Sequence, residues 1–214
     1  MVNRTAGGNG TSKSLTKQGA VKNICVYCGA GLGAGPVYAE AARTLGRAMA
    51  AEGIGLVYGG ASVGLMGEIA RAVLQGGGHV IGIRPPNLPL NEIPLENIQE
   101  LIEVRSLHER KMLMFERADA FVALPGGVGT LEELVEQITW VQLGHHSKPV
   151  VLANLENYWQ PLLGLFEQMR ALSFISPTLE IRYSVADRVE DIIPLIRAKS
   201  VNGGAEAVST AGLP

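Results

Sequence analysis

Short apolar runs alternate along the chain with stretches whose apolar positions recur every three or four residues. The runs are Asn23–Cys28, Ile54–Tyr58, His79–Ile83, Ala120–Leu124 and Pro149–Ala153, and each reads as a buried strand. Pro36, well placed at a first helical position, opens a helix through Ala39, Ala42, Leu45, Met49 and Ala50 that stops at Gly53. A second helix follows the turn Gly59–Gly67 and ends near Gly76. Arg84–Glu100 holds four prolines and reads as an irregular loop long enough to border an active site. After the apolar stretch Leu101–Val104, a helix is predicted from about Leu107 to Ala118. Another follows Pro125-Gly126-Gly127 to about Leu143, and helices near Tyr158–Leu172 and Val189–Ala198 complete the pattern. Such alternation predicts an α/β fold: a doubly wound parallel sheet with helices on both faces, in a single domain over 21–199. The segments 1–20 and 200–214 lack periodicity and read as disordered tails.

Composition narrows the choices. Of 214 residues, 47% are hydrophobic and 18% charged, so a core is easily built and a wholly disordered chain is excluded. The net charge of −2 argues against a bulk nucleic-acid binder. No apolar run is long enough for a membrane span, and the first 20 residues lack the apolar segment of a secretory signal, so a cytoplasmic protein is expected. Cys25-Val-Tyr-Cys28 has the spacing of a redox or zinc pair. Within a strand, however, positions three apart face opposite ways, and no second pair exists to complete a metal site. Two reduced thiols and no metal are expected.

Glycine is enriched, at 27 residues, and clusters where the strands should end: Gly29–Gly35, Gly59–Gly67 and Gly126–Gly129. Ligands of such sheets bind outside the carboxyl ends of the strands, so the three segments should converge on one crevice. The first is not a strict dinucleotide fingerprint, because Ala34 stands at its last glycine position. Strand two runs through Val57 and Tyr58 into Gly59, with no acid to hold an NAD ribose, and no P-loop is present. The third segment, Pro125-Gly-Gly-Val-Gly-Thr-Leu-Glu-Glu133, joins a strand to a helix. Successive backbone N–H groups there can form an anion nest at a positive helix end, and phosphate is the natural guest. Thr130 and Glu133 also fit a capping box, with Thr130 as N-cap and Glu133 at N3.

Ser106 and Glu109 fit a second capping box, which places Arg110 and Lys111 in the first turns of a helix, where cations are disfavoured. Lys111 shares the apolar stripe of Leu107, Met114, Phe115 and Ala118. Two charges in such places suggest a local rule broken for function. On the helix after Thr130, Leu131, Leu134, Val135 and Ile138 form the predicted core stripe, flanked by Glu132, Glu136 and Thr139 on one side and Glu133, Gln137 and Trp140 on the other. Carboxylates beside a phosphate site suit chemistry on a sugar: stabilising an oxocarbenium-like centre or activating water. His145 and His146 follow in a loop, and nothing in the pattern recruits them.

Three segments together carry a resemblance. Pro125–Glu133 is PGGxGTxEE in full, Gly59–Gly67 (GGASVGLMG) is similar to a GGGSxGLMG segment, and His108–Lys111 is similar to MHxRK. Over about residues 22–198 the chain resembles the Lonely-guy family of cytokinin-activating nucleoside-monophosphate phosphoribohydrolases, often labelled lysine decarboxylases. It departs from the pattern at Ala30, Ala61 and Leu107. The resemblance implies a Rossmann-like fold, a homodimer, and hydrolysis of the N-glycosidic bond of an N6-modified adenosine 5′-monophosphate to free base and ribose 5-phosphate, without cofactor or metal. It implies a catalytic pair, Arg110 and Glu133. Substrate contacts would come from Glu92, Lys111, Thr139 and the run Gly126, Gly127, Val128, Gly129, Thr130, Leu131 and Glu132, with Gly127 to Thr130 on the 5′-phosphate. A carrier of nucleotide or molybdenum cofactor on the same scaffold is the alternative. It would keep the glycine nests but need no Arg110–Glu133 pair. A true lysine decarboxylase would need pyridoxal phosphate on a lysine with an acid partner for the ring nitrogen, and none is identifiable.

Overall fold

The computed structural model describes residues 21–85, 95 and 97–206, with backbone only for the last six. Seven strands form one parallel sheet: β1 (Asn23–Tyr27), β2 (Gly55–Tyr58), β3 (Val80–Arg84), β4 (Glu100–Glu103), β5 (Ala120–Ala123), β6 (Val150–Ala153) and β7 (Ser184–Ala186). Their spatial order is β4-β3-β2-β1-β5-β6-β7, so the chain starts in the middle and builds outward in both directions. The register is continuous: Cys25 lies opposite Val57 on one side and Phe121 on the other. The direction reverses between β1 and β5, the switch point where a crevice opens at the strand ends.

Helices α1 (Pro36–Ala51), α2 (Gly64–Gln75) and α6 (Ile192–Glu206) cover one face. Helices α3 (Leu107–Arg117), α4 (Val128–Gln142) and α5 (Gln160–Ala171) cover the other. Alternation along β1 divides its residues between the two layers. Ile24, Val26 and Cys28 enter the first, while Cys25 and Tyr27 enter the second. The two cysteines are therefore free thiols on opposite faces, as their spacing predicts. Among the described residues there is no cluster suited to a metal ion, and no described helix is long and apolar enough to cross a membrane.

Three expectations need correction. Strand β7 was not predicted, because Ser184-Val-Ala186 is too short to show a period. Helix α6 continues past Ala198 to Glu206, so the first residues of the expected C-terminal tail are helical. Ser200 donates its hydroxyl to the Ile196 carbonyl, bonding one turn back along the helix. Helix α4 is also rotated from its predicted stripe. Its buried positions are Thr130, Leu134, Gln137 and Ile138, while Val135 is exposed. A fully buried glutamine misleads any reading that seeks the core from apolar residues alone.

Candidate active site

The three glycine-rich turns do meet at the carboxyl ends of β1, β2 and β5. Gly29 donates its N–H to the Pro125 carbonyl at 3.1 Å, and Leu65 donates to the Gly29 carbonyl at 3.0 Å. Gly126 is pinned between them. A Cβ there would drive into the Thr130 hydroxyl and lie 2.8 Å from the Gly29 nitrogen, so only glycine fits. Beside this junction is a cavity of about 410 Å³ lined by Gly29–Gly33, Tyr38, Leu65, Pro125–Gly127 and Tyr158.

Helix α4 does not start with the predicted capping box. Its N-cap is Gly127, in extended conformation and without a side-chain cap, and Leu131 already donates to the Gly127 carbonyl at 3.0 Å. Thr130 is thus the third helical residue and is buried, and Glu133 lies in the second turn. The amides of Val128, Gly129 and Thr130 open the helix with no intrahelical acceptor, at its positive end. The chain turns into the helix at Gly127, three residues before Thr130. The first amides of α4 are left without a side-chain cap, and Glu133 does not cap them.

Glu133 instead meets Arg110. The Arg110 Nη1 lies 3.2 Å from Glu133 Oε1, both side chains are largely buried, and Arg110 Nε donates to the Ile83 carbonyl at 3.0 Å. The guanidinium fits because Gly59 has no side chain to obstruct it. Burial raises the Glu133 pKa to about 7; Arg110 opposes the rise, and the neighbouring Glu132 and Glu136 add to it. Lys111, the next residue of α3, is also largely buried and holds Glu132 at 2.6 Å and Glu136 at 2.9 Å. Burial lowers the Lys111 pKa, but the two carboxylates more than offset this, so the ammonium is held charged. Three ion pairs therefore clamp α3 to α4, two through Lys111 that tether the helices and one between Arg110 and Glu133.

The chain matches, over residues 66–196, the family model described as possible lysine decarboxylase. It is 50% identical over 157 residues to the cytokinin riboside 5′-monophosphate phosphoribohydrolase LOG1 of Arabidopsis thaliana, covering 73% of this chain and 74% of that one. To the probable cytokinin riboside 5′-monophosphate phosphoribohydrolase LOGL9 of Oryza sativa subsp. japonica it is 45% identical over 185 residues, 83% of this chain and 82% of the relative. The chain belongs to the cytokinin riboside 5′-monophosphate phosphoribohydrolase family. Among solved structures, the molybdenum cofactor binding protein of Rippkaea orientalis superposes with a TM-score of 0.61 at 26% identity, over 83% of this chain and 96% of that one. The Moco carrier protein of Chlamydomonas reinhardtii does so with 0.61 at 22% identity, over 85% and 98%, which speaks for the shared Rossmann-like fold.

Against that background the predicted site divides. Arg110, Glu133 and the run Gly126–Thr130 are brought together at the switch point. Leu131 packs partly into the second core layer, and Glu132 is engaged by Lys111. Thr139 lies over two turns further along α4, its hydroxyl donated to the Val135 carbonyl at 2.8 Å. Glu92 lies outside the described residues. His146 packs against Phe115 and Phe121, where burial lowers its pKa to about 4, so it is a neutral core ring. Tyr38 and Tyr158, which line the cavity, were missed. A tyrosine in a helix or loop carries no sequence signal that separates wall from surface.

Proposed function

We propose that the protein hydrolyses the N-glycosidic bond of N6-modified adenosine 5′-monophosphates, releasing the free base and ribose 5-phosphate. The observation that carries this reading is the buried Arg110–Glu133 pair beside an uncapped, glycine-lined helix end, with Glu133 titrating at about 7. The amides of Gly127 to Thr130 hold the 5′-phosphate, with Gly126 shaping the turn, and that fixes where the ribose lies. Ionised Glu133 then faces C1′. As the C1′–N bond breaks, its electron pair leaves with the base. Glu133 stabilises the cationic sugar and takes a proton from the water whose oxygen bonds to C1′. The departing base takes up a proton from solvent and Glu133 returns its own, so the base leaves neutral and the carboxylate is restored. Arg110 stays charged at any working pH and offsets negative charge on the departing base. Lys111 and Glu132 contribute by keeping α3 against α4. In this reading Glu92 and Thr139 remain substrate contacts of the full site.

The decarboxylase reading finds no support in Lys111, whose ammonium is held between two carboxylates. The other described lysines are Lys22 and Lys148, before the amino ends of β1 and β6, and Lys199 on α6, all away from the crevice. A carrier would need the nest but not a buried acid poised near neutrality, so the pair favours the enzyme. Two further elements belong to the reading. The unlinked cysteines suit a cytoplasmic location. Val128 and Val135 on α4 and Leu107 on α3 are exposed apolar positions that a second copy would cover, giving a homodimer. Trp140 does not add to that case, since it packs edge-on against Phe115 of its own chain.

Purified protein incubated with a panel of nucleosides and their mono- and triphosphates tests the proposal. Free base and ribose 5-phosphate are expected from the monophosphates alone, and equal turnover of adenosine and its monophosphate would overturn it. Light scattering that reports a single chain at micromolar concentration would remove the dimer.

A further inference from the structure

The segment joining β6 to α5 is held more tightly than a connecting loop requires. Asn154, buried, donates its N–H to the Ala186 carbonyl at 2.8 Å. Its side chain accepts from the Trp159 N–H at 2.9 Å and donates to Asp187 at 3.2 Å. Between these anchors, Glu156 (φ 51°) and Asn157 (φ 57°) are successive left-handed residues, although neither is glycine. Such strain persists only where the surroundings enforce it, and it gathers at functional sites. It delivers two aromatic donors to the bend between β5 and α4. Trp159 Nε1 donates to the Ala123 carbonyl at 3.2 Å, and the Tyr158 hydroxyl donates to the Gly126 carbonyl. Trp159 is buried, whereas Tyr158 is part-exposed, with its ring on the cavity wall edge-on to Tyr38.

A trans peptide unit is planar, so the Gly126 carbonyl and the Gly127 N–H point in opposite directions. This unit joins two glycines, and a Cβ at Gly127 would meet nothing within 4 Å, so packing at that residue does little to stop it from rotating. We propose that Tyr158 is a positioning residue for phosphate: by holding the Gly126 carbonyl it aims the Gly127 N–H into the nest. The proposal rests on the reading that this nest binds the 5′-phosphate. Tyr158 is assigned no contact with the bond that breaks, so its role belongs to affinity rather than turnover.

Tyr158→Phe keeps the ring and its packing and deletes only the donor. KM for a nucleoside monophosphate is expected to rise about tenfold, the worth of one hydrogen bond, with kcat within about twofold. Calorimetric titration with inorganic phosphate and with ribose 5-phosphate should show the same factor in Kd. A tyrosine that merely clipped two loops together would lower the melting temperature and leave phosphate affinity unchanged, and that result overturns the proposal. If the wild-type protein itself binds neither phosphate nor ribose 5-phosphate, the nest reading fails, and this proposal fails with it. Wild-type affinity in Tyr158→Phe removes the positioning role alone.

Discussion

The same four-residue capping pattern stands near the start of α3 and of α4, and the two helix ends differ in how they are closed. At α3, Ser106 is the N-cap: its hydroxyl accepts from the Glu109 N–H at 3.1 Å, and the Glu109 carboxylate reaches back to the Arg105 N–H at 2.7 Å. That end is sealed by its own side chains. At α4, Gly127 takes the cap position, the helix starts before Thr130, and no side chain covers the first amides. What separates the two ends is the turn before the pattern, which at α4 holds Gly126 tight against Gly29 and has no counterpart at α3. A sealed end makes α3 a rigid mount that presents Arg110. The open end of α4 leaves its first amides without a side-chain cap, and Glu133 pairs with the arginine instead.

The strongest way to break this contrast is at Glu133. If it were a capping residue, Glu133→Gln would cost mainly stability. We expect kcat to fall on the order of 10²-fold or more, the range for a positioned acid–base group, with a smaller change in KM. The same variant tests the raised pKa. The native state keeps this proton to about pH 7, whereas an ordinary carboxyl releases it near 4.5. Native stability from this group therefore falls as pH rises across that interval. The melting temperature of Glu133→Gln relative to wild type should move in the variant's favour between pH 4.5 and 7, and a flat difference would argue against a buried, titrating carboxyl. In wild type, kcat/KM should rise with pH along an acid limb near 7.

Arg110→Met removes the cation that restrains the rise in the Glu133 pKa. The acid limb should move to higher pH, and activity at neutral pH should fall by roughly 10- to 10²-fold, short of the loss at Glu133. Gly126→Ala attacks the open end itself, since its methyl has no room against Thr130 and Gly29. Overpacking of this kind costs about 1–3 kcal/mol, visible as a melting point lower by several degrees together with a raised KM. The smallest effect belongs to the sealed end. Ser106→Ala should cost about 1 kcal/mol, a drop of about 2–4 °C in a chain of this size, with kcat intact.

Most of the fold could be read before any coordinates. Strands β1, β2, β3, β5 and β6 are continuous apolar runs, as strands buried on both faces must be, and Pro36 and Gly53 mark the ends of α1. The three glycine turns were likewise legible, because the rule placing ligands at the carboxyl ends of strands needs only that the sheet be parallel. Two parts of the site were not. The start of α4 depends on how Gly126 wedges against Gly29, a contact between segments almost a hundred residues apart, so local pattern pointed to the wrong cap. The inward turn of Glu133 follows from the burial of Gln137, which no hydropathy rule anticipates. Tyr158 escaped for a similar reason, since its partner is a backbone carbonyl in the distant turn between β5 and α4.

The sheet order carries a consequence for how the site comes into being. Arg110 follows β4, the last strand laid on one flank, and Glu133 follows β5, the first on the other. Helix α3 is the bridge that returns beneath β3, β2 and β1 to reach β5. The ion pair therefore joins the helix that leaves one wing to the helix that follows the first strand of the other, across β1 where the two wings meet. Recovery of catalysis on refolding should then mark the final assembly of the two wings, lagging the return of helical signal.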